Sequence, residues 1–201
     1  ASGSLSASDA DSATTFVAQT NVAGSNGYGK FSIDAAGQWS YTMDSAHNEF
    51  VAGQTYTDSV TVTTADGTTQ VLTITLNGTN DAAVITGTST ATLTETNVAQ
   101  SASGTLSATD VDSATTFVAQ TNVAGSNGYG KFSIDATGQW TYTMDSAHNE
   151  FKTGQTYTDS ITVSTADGTN KLLTVTINGS NDAPIITSDN ASILEDTVAT
   201  G

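Results

Sequence analysis

Apolar and polar residues alternate along most of this chain. In "KFSID" (131–135), Phe132 and Ile134 share one parity while Lys131 and Ser133 share the other; in "QWTYTM" (139–144), Trp140, Tyr142 and Met144 line up in the same way. Side chains of a strand point alternately to two faces, so a period of two predicts strands with one buried face. Helical spacing is nearly absent. Strands are predicted over 90–94, 104–109, 115–121, 129–134, 138–144, 155–165 and 170–178, separated by the turn signals "DATG", "ADGT" and "NGYG". Only "DSAHNEF" (145–151) reads as a short helical turn or loop. Seven short strands in about 100 residues predict an all-β fold, an antiparallel sandwich of the immunoglobulin-like type.

The pattern repeats. "TTFVAQTNVAGSNGYGKFSIDA" begins at Thr14 and again at Thr115, a period of 101 residues, and 66 of 81 positions agree between residues 1–81 and 102–182. Such self-similarity marks tandem domains. With one residue deleted, "AAVITGTSTATLTE" (82–95) also matches "APIITSDNASILE" (183–195). That register predicts a first sandwich over 1–81 without its opening strand, a complete second one over 82–182, and the opening strand of a third over 183–201. A boundary near residue 101, with 84–94 serving the first unit, is the alternative.

Composition narrows the partners. Twenty acidic residues face four lysines, for a net charge of −16. Nucleic acid and anionic lipid both require clustered Lys or Arg, so neither is expected as a partner, whereas cations are. There is no cysteine, which removes disulfides and thiolate chemistry. The Thr, Ser, Gly and Asp content resembles that of a bacterial surface protein. No apolar run approaches the roughly 18 residues of a membrane helix, so direct membrane insertion is not expected, and no signal peptide opens the chain.

In "SATDVDS" (107–113), Asp110 and Asp112 stand one residue apart after a strand. Like charges at that spacing repel, so the pair calls for a counter-charge. The order "GTLSATDVDS", "FSIDATGQWTYTMD", "ITVSTADG" and "VTINGSNDAPII" is similar to the cadherin pattern of an A-x-D-x-D turn, an F-x-I-D-x-x-T-G hairpin, an A-x-D-G turn and an N-D-x-A-P linker. More closely, it resembles the VCBS and related cadherin-like repeats of large bacterial adhesins of the RTX, type I secreted class. The likeness runs over essentially the whole chain. Two positions depart from it: Ala83 stands where Pro184 supplies the linker proline of the next copy, and Ala147 stands where an acidic residue follows Asp145 by two.

In such a sandwich the turn at Asp110 and the hairpin at Asp167 share one pole, where the linker "TND" also enters. Asp81, Asp110, Asp112 and Asp167 would converge there, with amide oxygen from Asn80. At an effective dielectric near 20, two such charges 4 Å apart repel by about 4 kcal/mol. A hard divalent cation reverses that sign, and an all-oxygen donor set suits calcium better than zinc. The resemblance implies Ca2+ held by Asn80, Asp81, Asp110, Asp112, Asp167 and Asp44 at the central junction. It implies Glu95, Asp145, Asn181 and Asp182 at the next junction, and Asp9, Asp11 and Asp66 at an incomplete pole. Asp and Gly also favour turns with no metal at all, and that reading stays open.

Other residues carry less. His47 and His148 recur with Glu49 and Glu150 but lack the further ligands of a zinc site. Trp39 and Trp140 read as core, and Lys30 and Lys131 as solvated. No catalytic motif appears, so an enzyme is not expected. The resemblance implies a calcium-rigidified extracellular spacer of a bacterial cell-surface adhesin, supporting cell adhesion and biofilm formation. Its expected partners are neighbouring repeats, calcium ions and, weakly and head to tail, other copies of the chain. A module that itself grips glycans or proteins is the alternative.

Overall fold

The computed structural model describes residues 1–184 and 186. The opening strand of a third unit, expected over 183–201, lies almost wholly outside the described residues. The molecule is all-β. Six strands occupy the first repeat: β1 (Ser2–Ser4), β2 (Gln19–Ala23), β3 (Gly29–Ile33), β4 (Gln38–Met43), β5 (Thr55–Thr63) and β6 (Thr69–Asn77). Eight follow: β7 (Val84–Gly87), β8 (Thr90–Thr94), β9 (Ser101–Thr109), β10 (Gln120–Ala124), β11 (Gly130–Ile134), β12 (Gln139–Met144), β13 (Thr156–Ser164) and β14 (Asn170–Asn178).

Strands β7–β14 build two facing sheets. One runs in the order β10-β11-β12-β9-β7, the other β13-β14-β8. All pairings are antiparallel except that of β8, which lies parallel to β14 with Ala91 opposite Val175 and Leu93 opposite Ile177. Segment 84–94 therefore supplies both sheets: β7 pairs with β9, the chain crosses at Thr88 and Ser89, and β8 joins the other sheet. Between the layers, Leu106, Phe132, Tyr142, Val163, Leu173 and Ile177 are wholly or almost wholly buried, as alternation predicts.

In the first repeat, β1-β4-β3-β2 faces a ribbon of only β5 and β6. Its sequence is nearly the same, yet β1 stops at Ser4 where β9 continues to Thr109. The four residues by which β9 extends, Leu106 to Thr109, are those paired with β7. Side chains follow suit: Met144 is 2% exposed and its counterpart Met43 is 39% exposed.

One local expectation is corrected. The strand predicted over 115–121 is irregular as far as Ala119, apart from a bridge at Phe117, and regular pairing begins at Gln120. Asn122, at φ 54°, and a register shift between Gln120 and Val123 interrupt the ladder there. Segment 145–151, expected as a short helical turn or loop, is a loop of turns and bends, because His148 takes φ 55° and breaks any run of helical dihedrals.

Candidate metal centre

Each repeat carries the same acidic turn at the start of the irregular segment after β1 or β9. Asp110 Oδ1 accepts the backbone N–H groups of Asp112 at 3.0 Å and Ser113 at 2.9 Å, and Asp9 does the same for Asp11 and Ser12, both at 2.9 Å. This is a local turn motif, written in D-x-D-S itself. The second acidic turn closes the hairpin between β13 and β14. There Asp167 accepts hydroxyl donors from Thr165 and Thr169 and the Thr169 N–H, as Asp66 accepts from Thr64 and Thr68.

What differs between the repeats is the linker. Leaving β6, it passes over the turns of the second repeat: Ala83 N–H donates to Asp167 Oδ2 at 3.0 Å and to Thr169 Oγ1 at 3.1 Å, and Asp81 N–H reaches Asp112 Oδ2 at 3.4 Å. Asn80 comes within 3.5 Å of both Asp167 and Ser113. The linker shields what it covers. Asp112 is 8% exposed, whereas Asp9, Asp11 and Asp66 of the first repeat are all exposed. Asp110 Oδ2 and Asp112 Oδ1 are out of solvent and accept no hydrogen bond.

The electrostatics reflect this crowding. Burial, then the adjoining Asp110 carboxylate and the charge of Asp81, push the Asp112 carboxyl above its ordinary range. Asp110 is held down chiefly by the Asp112 N–H, against its own burial and the charge of Asp167. Asp167 is held well below the usual carboxylate range by the Thr165 and Thr169 hydroxyls. At the exposed pole the same turns lower Asp9, through the Asp11 N–H first, and Asp66, through the Thr64 hydroxyl first.

The structure thus brings Asn80, Asp81, Asp110, Asp112 and Asp167 to one place. It does not close them into a coordination sphere: among the described residues, no three acidic or imidazole groups are gathered tightly enough to hold one ion. The donor set still fits a hard cation. All five side chains offer oxygen, and the two orphaned carboxylate oxygens have desolvation to recover.

Asp44 and Asp145 are held differently. His148 Nε2 lies 2.9 Å from Asp145 and 2.8 Å from the Tyr129 carbonyl, while Nδ1 lies 2.7 Å from Glu150; His47 repeats this with Asp44, Tyr28 and Glu49. The recurring D-x-x-H-x-E spacing was the available signal for this clamp. At the far end of the second repeat, Glu95 is fully buried, with Oε2 accepting from the Ser180 N–H at 3.1 Å and hydroxyl at 2.8 Å. Its Oε1 and Asp182 Oδ2 are buried without partners, and Asn181 is exposed.

Asp58 and Asp159 escape the sequence reading altogether. Asp159 is fully buried and accepts N–H groups from Asn127 at 2.8 Å and from Tyr129 and Gly130 at 3.1 Å, plus the Tyr142 hydroxyl at 3.2 Å. The loop before β11 can reach it because residue 125 is glycine; a Cβ there would sit 2.0 Å from the Asp159 carboxyl carbon. The signal was present in "TYTDSITV", where Asp159 shares the inward parity of Ile161 and Val163.

Residues 80–179 match the bacterial cadherin-like domain family. Among solved structures, the chain is similar to PcdhgB3 EC1-4 at 17% identity, covering 76% of this chain and 37% of that one, with a TM-score of 0.42. The protocadherin gammaB7 EC3-6 cis-dimer gives 15% identity, 84% and 40% coverage and a TM-score of 0.45. Domains 4 and 5 of the S-layer protein SbsC give 13%, 82%, 69% and 0.32. The chain thus spans two fifths or less of the protocadherin chains it matches. A comparison with curated proteins found no match. The stretch that resembles the bacterial cadherin-like domain family is thus residues 80–179, and residues 1–81 repeat most of the sequence of 102–182.

Proposed function

We propose that the chain is a spacer segment of a large bacterial surface adhesin, with calcium stiffening the joint between its repeats outside the cell. In this reading residues 1–81, 82–182 and 183–201 are successive units of a VCBS-type array. The observation that supports it is the meeting of linker residues 80–83 with Asp110, Asp112 and Asp167, which leaves two carboxylate oxygens buried and unbonded. Asn80, Asp81, Asp110, Asp112 and Asp167 would hold the ion, and Asp44 would join from the first repeat. Glu95, Asp145, Asn181 and Asp182 would serve the following joint. Bound calcium would supply the positive charge that this crowd of carboxylates lacks.

The chain's own residues perform the mechanical part. Six residues, 78–83, separate β6 from β7 and leave little slack, and the Ala83 N–H already fastens the linker to Asp167. Repetition adds reach without new chemistry, which suits a spacer that carries a distal binding domain, and biofilm attachment would follow from that reach. No catalytic role is proposed.

A calcium titration followed by thermal melting tests this. Extracellular modules bind calcium at about 10⁻⁴ to 10⁻³ M, and one site specific to the folded state contributes about 2.7 kcal/mol at a hundred times its dissociation constant. Asp110→Ala combined with Asp112→Ala should remove most of the gain. Identical melts in chelator and in calcium would refute the reading.

A further inference from the structure

Strands β5 and β13 lie at the edge of their sheets, each with a partner on one side and, among the described residues, no paired strand on the other. Such an edge presents a row of backbone groups to any strand that approaches it. These two strands carry none of the usual deterrents. Thr55–Thr63 and Thr156–Ser164 are rich in β-branched residues and contain no Pro or Lys, and the one charged residue of each, Asp58 or Asp159, is turned inward and buried. The two also agree with each other at seven of nine positions. Near-identical edges repeated along a chain invite pairing between the wrong copies.

The edge is nevertheless covered, carbonyl by carbonyl. In the second repeat Asn127 Nδ2 donates to the Thr158 carbonyl at 2.7 Å, Ser126 N–H to that of Ser160 at 2.9 Å, Gln120 Nε2 to that of Thr162 at 3.1 Å and Val118 N–H to that of Ser164 at 2.9 Å. The first repeat does the same. Asn26 Nδ2 donates to Thr57 at 2.6 Å, Ser25 N–H to Ser59 at 2.8 Å, Gln19 Nε2 to Thr61 at 3.0 Å and Val17 N–H to Thr63 at 2.8 Å.

Side-chain and backbone donors thus alternate along the edge. The covering segment has its own ladder with β11, and its register shifts between Gln120 and Val123, where Asn122 takes φ 54°. It therefore cannot offer β13 a regular row of backbone N–H groups, and side-chain amides supply the missing donors. A carbonyl only accepts, so the amide nitrogen faces the edge. At Gln19 this leaves Oε1 out of solvent without a partner, which fits a side chain placed for its N–H.

We propose that Gln19, Asn26, Gln120 and Asn127 are guard residues, whose amides stand in for the N–H groups of a neighbouring strand and keep the β5 and β13 edges from pairing with the matching edge of a second copy. Edge against edge, antiparallel, that pairing is an isologous contact.

Two double variants of the full chain test this. Gln19→Met with Gln120→Met keeps the bulk of each side chain and bares the Thr61 and Thr162 carbonyls; Asn26→Ala with Asn127→Ala bares those of Thr57 and Thr158. Sedimentation is measured in chelator, at a temperature where circular dichroism shows each protein folded. Average mass should rise with concentration more steeply in both variants than in the parent. A fluorescent peptide of residues 155–165 should bind the variants about tenfold more tightly than the parent, and the same peptide N-methylated at alternate residues should not bind. Leu173→Ala, which weakens the core and leaves every edge donor in place, should behave as the parent while it stays folded. The proposal is overturned if the parent binds the peptide as well as the variants do, if neither variant associates more than the parent, or if Leu173→Ala associates to the same degree.

Discussion

Ala83 and Asp167, 84 residues apart, meet through a backbone N–H and a carboxylate oxygen at 3.0 Å, and this contact fastens the linker onto the second repeat. A proline at 83, which the equivalent position of the next copy carries as Pro184, could make neither this bond nor the one to Thr169. In this chain a hydrogen bond is available for the work proposed for the ion.

Ala83→Pro should therefore lower the melting temperature more in chelator than in saturating calcium. In calcium the ion holds the carboxylates whether or not residue 83 has an N–H. Melting curves of the variant that shift equally in both conditions would separate the linker bond from the metal.

Asp159→Ala should be among the most damaging single changes in the second repeat. It strips a buried acceptor from three backbone donors and the Tyr142 hydroxyl, and hydrogen bonds to charged groups are worth about 1.5–3 kcal/mol each. A loss of about 3 kcal/mol or more is expected, confined in calorimetry to one of two transitions; Asp58→Ala should strike the other. Burial, and after it the bond to Asp58, raises the Tyr41 hydroxyl to about 12, so Tyr41 should stay protonated well into alkali.

Leu173→Ala and Leu72→Ala remove the same side chain from matched strands. Leu173 is fully buried and its loss should cost about 2–5 kcal/mol. Leu72 is only half-buried, so its truncation should cost clearly less. Equal costs by denaturant unfolding would mean that the two side chains are equally buried in solution.

Asp135 links turn chemistry to pH. Its Oδ1 accepts from the Thr137 hydroxyl at 2.7 Å and N–H at 2.9 Å and from the Gln139 N–H at 3.0 Å, which holds the carboxyl below its ordinary 3.8, the Thr137 hydroxyl acting most. A depressed folded value stabilises the protein above pH 3.8, and the benefit disappears as pH falls through the folded value. Asp135→Asn should thus melt earlier than the parent at neutral pH, and the gap should close under acid. A gap independent of pH would assign the effect to packing.

The sequence alone determined the strands with clean alternation, such as 131–135 and 139–144, because period two reports the face that each side chain takes whatever the topology. It also determined the repeat and the acidic turns, since D-x-D-S and A-D-G write their own local hydrogen bonds; Asp9 and Asp66 make them even where nothing covers them. Tertiary structure decided the rest. Segment 84–94 divides between two sheets, and no local pattern says that β8 will run parallel to a strand some 80 residues later. Asp159 looks like any strand polar residue until the loop over Gly125 supplies its donors. Asp11 and Asp112 share their flanking sequence almost to the residue, yet one is exposed and the other buried. Burial depends on what lies across the gap, and at Asp112 that is a linker entering from another repeat.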